Sequence, residues 1–148
     1  MTYKELKKLF PESSSCIENN KTVVEENKRK FVIDPSTRDP CCRIQVDDCL
    51  ISDLKIEKCD FWFHHCSQSN NVFVELKGQN IKKAYSQILS TLNWLKPKID
   101  IPKEKCHAAI VVSNSPMSRA EIQNLKSDFK KKHGSRLEIK EKILNFKF

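Results

Sequence analysis

CDFWFHHCSQSNNVFVELKGQNIKKAYSQILSTLNWL, residues 59–95, carries the pattern that decides the fold. Residues 58–66 and 71–77 are two short apolar-aromatic runs, and the polar residues 67–70 between them suit an antiparallel hairpin. Alternate residues of a strand face opposite sides. Phe73, Glu75 and Lys77 therefore project together, and Val72, Val74 and Leu76 project the other way. Asp60, on the first strand of the hairpin, can join Glu75 and Lys77. Two carboxylates suit a hard divalent cation such as Mg²⁺ or Mn²⁺. A neighbouring lysine can steady a phosphate or orient an attacking water.

Gly78 closes the second strand, and a helix is predicted over 80–96. Its apolar stripe is Ile81, Ala84, Tyr85, Ile88, Leu92 and Leu95, and Pro97 ends it. Residues 106–112 (CHAAIVV) form a continuous apolar run, which predicts a buried strand parallel to its predecessor. Ser118 and Glu121 form a capping-box pattern opening a helix that carries Ile122, Leu125 and Phe129 inward and stops at Gly134. A final strand is predicted over 137–148.

Upstream, residues 1–10 predict a short basic helix with Leu6 and Phe10 on its apolar side, ended by Pro11 and Ser13 to Ser15. Residues 16–30 are polar and are compatible with helix or loop, so 1–30 reads as an N-terminal helical segment, only partly ordered, of a single domain spanning 1–148. Residues 30–34 read as a strand, and Pro35, Ser36, Asp39 and Pro40 mark a turn. A strand over 43–51 is interrupted by Asp47 and Asp48. The order of elements predicts an α/β domain of two or three layers, a mixed β-sheet flanked by helices.

Asp60, a gap of fourteen residues, then Glu75-Leu76-Lys77 and a helix resembles the signature of the PD-(D/E)xK, or restriction-endonuclease-like, nuclease superfamily. Cys59 stands where that motif has its proline. Glu5-Leu6-Lys7, Glu26-Asn27-Lys28 and Glu138-Ile139-Lys140 repeat the tripeptide without the strand-strand-helix setting. The resemblance implies a restriction-endonuclease-like core and a phosphodiester hydrolase with Asp60 and Glu75 as Mg²⁺ or Mn²⁺ ligands and Lys77 as a catalytic residue. It also implies DNA as the expected substrate, with a homodimer or protein partner in prospect. In some members a Gln or Tyr on the following helix assists, which nominates Gln87 ahead of Tyr85. A further N-terminal acid often completes such sites, and Glu18, Glu25, Glu26, Asp47 and Asp48 remain alternatives. The rival expectation is a non-catalytic module on the same fold that binds nucleic acid or protein within a repair or defence assembly.

Composition bounds the rest. The 148 residues include 27 Lys and Arg against 19 Asp and Glu, a formal net charge of +8, which favours polyanionic partners. Lys130, Lys131, Lys132 and Arg136 are the predicted nucleic-acid contacts, although cations at a helix C-terminus also complement its dipole. Two glycines exclude a Gly-rich phosphate loop. No apolar run is long enough to cross a bilayer and residues 1–10 lack a signal-peptide core. A soluble cytoplasmic protein with seven reduced cysteines is therefore expected. No Cys-x-x-Cys pair gives a zinc-knuckle spacing.

Overall fold

The computed structural model describes residues 1–34 and 40–148. Pro35, Ser36 and Asp39 of the predicted turn lie outside them. In chain order the elements are α1 (Tyr3–Leu9), a 3-10 segment (Pro11–Cys16), β1 (Ile17–Asn19), β2 (Val23–Glu26), β3 (Arg29–Ile33), β4 (Cys41–Gln45), β5 (Phe61–His65) and β6 (Asn70–Lys77). Then come α2 (Ile81–Leu95), a 3-10 turn (Lys103–Lys105), β7 (Cys106–Val112), α3 (Arg119–Lys132), β8 (Arg136–Glu141) and β9 (Ile143–Phe146).

A six-stranded mixed sheet of order β1-β4-β5-β6-β7-β8 forms the centre, and β2-β3-β9 form a second sheet. β4, β5 and β6 run antiparallel, whereas β7 is parallel to both β6 and β8. The parallel step needs a crossover, and α2 supplies it. Asn80 caps α2 by accepting from Lys83 N, and Ser118 and Glu121 form both bonds of the predicted capping box on α3.

The sheet has two buried faces. Ile44, Trp62, Phe73, Ala108 and Ile110 face α1, α2 and α3 through Leu6, Phe10, Ile81, Ile88 and Phe129. Phe63, Val72, Val74, Ala109 and Val111 face the second sheet through Val24, Phe31, Ile33, Leu144 and Phe146. The domain thus has three layers, helices then sheet then sheet. The expected α/β domain with a mixed sheet and helices is present; all three described α-helices contribute to one face, and short strands cover the other.

Residues 1–30 are part of this body, with Leu6, Ile17 and Val24 at most 6 % exposed. β1 pairs with β4 and β2 with β3, so a polar stretch compatible with helix is mostly strand. The strand expected over 43–51 stops at Gln45, because Asp48 adopts a left-handed backbone (φ 58°) and turns the chain. The strand expected over 137–148 is two, broken at Lys142 (φ 66°). Gly134 ends α3 through close approach: a Cβ there would lie 2.5 Å from Cys106 O and from the Phe129 ring.

The cysteines also depart from expectation. Cys16 and Cys49 form a disulfide that ties the 3-10 segment to the turn after β4. Five cysteines remain free, and burial pushes the thiols of Cys41, Cys42 and Cys106 up to about 12, so they serve as neutral core residues. Among the described residues no helix is long and apolar enough to cross a membrane.

On α2, Ile88 is fully buried, whereas Leu92 only borders the core. Ile88→Ala should cost about 2–5 kcal/mol in urea unfolding, and Leu92→Ala distinctly less. Equal losses would mean that Leu92 is as enclosed as Ile88.

Candidate active site

The register of β5 and β6 brings the predicted residues together. Phe61 lies opposite Val74, and Asp60 N donates to Val74 O at 3.1 Å. One step further along the ladder Asp60 falls opposite Glu75. Directly opposed residues have Cβ atoms about 4.5–5.5 Å apart. Asp60 Oδ2 accepts from Leu76 N at 2.9 Å, so the Asp60 side chain continues the ladder that β5 has left. The N–H and C=O of a strand residue share an edge. The Leu76 carbonyl therefore faces the same place.

Glu75 is 3 % exposed, and its Oε2 has no hydrogen-bond partner. Burial, a hydrogen bond shared with Asp60 and the Asp60 charge push its carboxyl up to about 10; Asp47 adds to the rise and the Lys77 ammonium opposes it. A buried carboxylate beside a second one does not ionise cheaply, which favours the protonated form of Glu75. Lys77, half-buried, follows on the same face at the strand's end.

Neighbouring segments hold the pair in place. Val46 N and Asp47 N both donate to Asp60 O, at 2.9 and 3.4 Å, and Ile51 N closes the turn onto Val46 O at 3.0 Å. Of the alternative N-terminal acids, Asp47 is the one that acts electrostatically on Glu75. Glu25, Glu26, Asp47, Asp48 and Asp60 line a cleft of about 300 Å³. Glu18 is engaged elsewhere, with Arg43 at 3.0 Å.

Gln87 approaches from α2. Its Nε2 donates to Lys58 O at 3.2 Å and its Oε1 is buried without a partner. Thr91 Oγ1 accepts from Cys59 N at 2.8 Å and donates to Gln87 O at 2.9 Å. Gln87 thus anchors the approach to Asp60. Tyr85 belongs elsewhere, because its hydroxyl donates to Asp128 Oδ2 at 2.5 Å and joins α2 to α3.

The expected phosphate patch is not brought to this site. α3 returns from the carboxyl end of β7 to its amino end, where Ser135 N donates to Cys106 O. Lys130, Lys131, Lys132 and Arg136 therefore lie at the opposite edge of the sheet. Seven register pairs, Asn71↔Cys106 to Lys77↔Val112, separate the two edges, roughly 20 Å at the strand rise. The exposed cations at the carboxylate edge are others: Lys82 and Lys83 in the first turn of α2, Arg119 at the start of α3, and Lys142. They follow from the direction of each element.

Among the described residues no group of three or more His, Cys, Asp and Glu side chains is gathered to hold a metal. Asp60 and Glu75 still fit a Mg²⁺-type ion, which typically takes one or two carboxylates and completes its shell with water and substrate oxygens. The unpartnered Glu75 Oε2 is free to ligate such a cation, which would take the place of the proton favoured on Glu75. No protein-family model, no curated protein and no solved structure matches the chain.

Glu75 also sets a pH dependence. Above its ordinary value of 4.5 an unfolded chain releases the proton that the folded protein keeps to about pH 10. Stability in a chelator should therefore fall as pH rises through that range, by up to about 1.4 kcal/mol per unit. Urea titrations at several pH values should show the slope in the native protein and its loss in Glu75→Gln. A slope retained by the variant would locate the ionisation in another group.

Proposed function

We propose that the protein is a metal-dependent nuclease of the restriction-endonuclease-like kind, hydrolysing phosphodiester bonds of nucleic acid, with DNA as the favoured substrate. The observation that carries this reading is the opposition of Asp60 to a buried Glu75 whose second oxygen has no partner. Element order supports it: a helix, an antiparallel three-strand meander (β4, β5, β6), a crossover helix and a parallel strand. Such an order is compatible with the core that the resemblance of Asp60, Glu75 and Lys77 implies.

Asp60, Glu75 and the Leu76 carbonyl would hold Mg²⁺ or Mn²⁺. Such an ion, when bound, polarises a phosphoryl oxygen and lowers the pKa of its water. The chain's own groups do the remainder. Asp60 is fixed by the bond that its Oδ2 accepts from Leu76 N. Lys77, at the exposed end of the strand, stabilises charge developing on the phosphate. Gln87 and Thr91 keep residues 58–59 against α2, so Asp60 enters the sheet in one register. Asp47 adds negative charge, favouring a cation over a second proton.

A second reading is a binding module without catalysis. The separation of Lys130, Lys131, Lys132 and Arg136 from the carboxylates favours it, because a polyanion held there need not reach Asp60.

Labelled single-stranded, duplex and branched DNA and RNA, incubated with and without Mn²⁺, separate the two. The nuclease reading expects cleavage only with metal. Lys77→Ala should lower the rate on the order of 10²–10³-fold while sparing Mn²⁺ affinity. Glu75→Gln and Asp60→Asn should abolish cleavage and weaken Mn²⁺ binding by at least about 10–100-fold, the loss seen when even outer partners of metal ligands are removed. Binding without cleavage of any form hands the function to the second reading.

A further inference from the structure

We propose that Arg29 binds the phosphodiester adjacent to the one held at the carboxylates, an inference that rests on the nuclease reading above. Arg29 opens β3 immediately after a two-residue turn, Asn27-Lys28, in which both residues are left-handed (φ 49° and 64°). That turn matches the twist of the β2–β3 hairpin and brings Arg29 to the carboxyl ends of β6 and β7. There its Nη1 donates to Ser113 Oγ at 2.9 Å, and Ser113 N donates to Gly78 O at 2.9 Å. Gly78 follows Lys77 directly. A Cβ built on Gly78 would stand 4.0 Å from Arg29 Nη1. The guanidinium thus lies beside the end of the strand that carries Glu75 and Lys77.

Its bonding is incomplete. Arg29 Nε is buried with no partner, and among the described residues no carboxylate forms an ion pair with Arg29. Ser115 Oγ, two residues beyond Ser113 in the same loop, is also buried and unpartnered. A half-buried guanidinium without an anion is costly, and its planar fork fits phosphate. In sheets with parallel strands, ligands sit outside the carboxyl ends. Arg29 and Lys77 come to that edge from opposite faces of β6, so one strand of nucleic acid crossing the edge would present successive phosphates to them.

The test measures binding of labelled single-stranded and duplex DNA across a salt series in chelator, and cleavage kinetics with Mn²⁺, for the native protein, Arg29→Ala and Arg29→Lys. Arg29→Ala should lower the salt slope of log affinity by about 0.7–0.9, one phosphate contact. It should raise KM about tenfold with kcat nearly unchanged. Arg29→Lys keeps the charge, so it should restore the slope and only part of the affinity; it also gives the reading if Arg29→Ala does not fold. Unchanged slope and KM in Arg29→Ala would make Arg29 a brace for Ser113 and overturn the proposal. A native protein that binds but does not cleave would defeat the nuclease reading alone, and the salt slope would still decide for or against Arg29. A native protein that binds no nucleic acid would overturn both.

Discussion

Glu75 and Asp60 confront each other across two antiparallel strands, with Glu75 almost out of water. Like charges at that distance in a medium of low dielectric repel by several kcal/mol, so the pair must hold a proton or a cation between them. The surrounding backbone is arranged to prevent escape. Asp60 is held through its N–H by β6, through its carbonyl by the turn after β4 and through its carboxylate by Leu76 N. The Asp60 side chain cannot swing into solvent without breaking its bond to Leu76 N, and Glu75 is 3 % exposed. The strain of the pair therefore favours positive charge at this site, a property that the proposed nuclease reading would use.

The electrostatic layout around the pair is uneven. The net charge of +8 is spread widely, yet the cleft that reaches Asp60 is lined by acids. A polyanion meets repulsion in that cleft until the carboxylates are neutralised. Attraction at the same edge comes from Lys77, Lys82, Lys83 and Arg119. On the proposed nuclease reading, affinity for nucleic acid and competence to react on it would be governed by separate groups, and cation binding would couple them.

Much of this was legible in residues 59–95. Period-two alternation told the faces of β6, the polar residues 67–70 told the hairpin, and together they told that Asp60 could meet Glu75. The α2 stripe and the CHAAIVV run told the crossover. Short polar strands were not legible: IEN and VVEE carry no local signal, because β1 and β2 exist through the partners they add to β4 and β3. Lys142 was hidden too, since a left-handed lysine gives no composition cue. The basic run at Lys130 to Lys132 was visible as charge but not as position. Its remoteness follows from α3 running antiparallel to β7, a fact of topology. Gln87 was legible as a neighbour of the site, and in the structure its Nε2 anchors the Lys58 carbonyl. Arg29 lay in the stretch whose structure the polar residues left undecided.

Lys142 has a consequence for how the domain opens. Its N–H donates to Val112 O in the large sheet, and its C=O accepts from Lys30 N in the small one, each at 2.8 Å. A single residue thereby rivets the two sheets at the edge where the carboxylates lie. β8 and β9, on either side of it, belong to different sheets and seal different hydrophobic clusters. Peeling β9 away from the small sheet therefore pulls on β8, the strand that borders β7. The two layers are thus expected to open together in hydrogen exchange, the amides of β3 and β9 with those of β7.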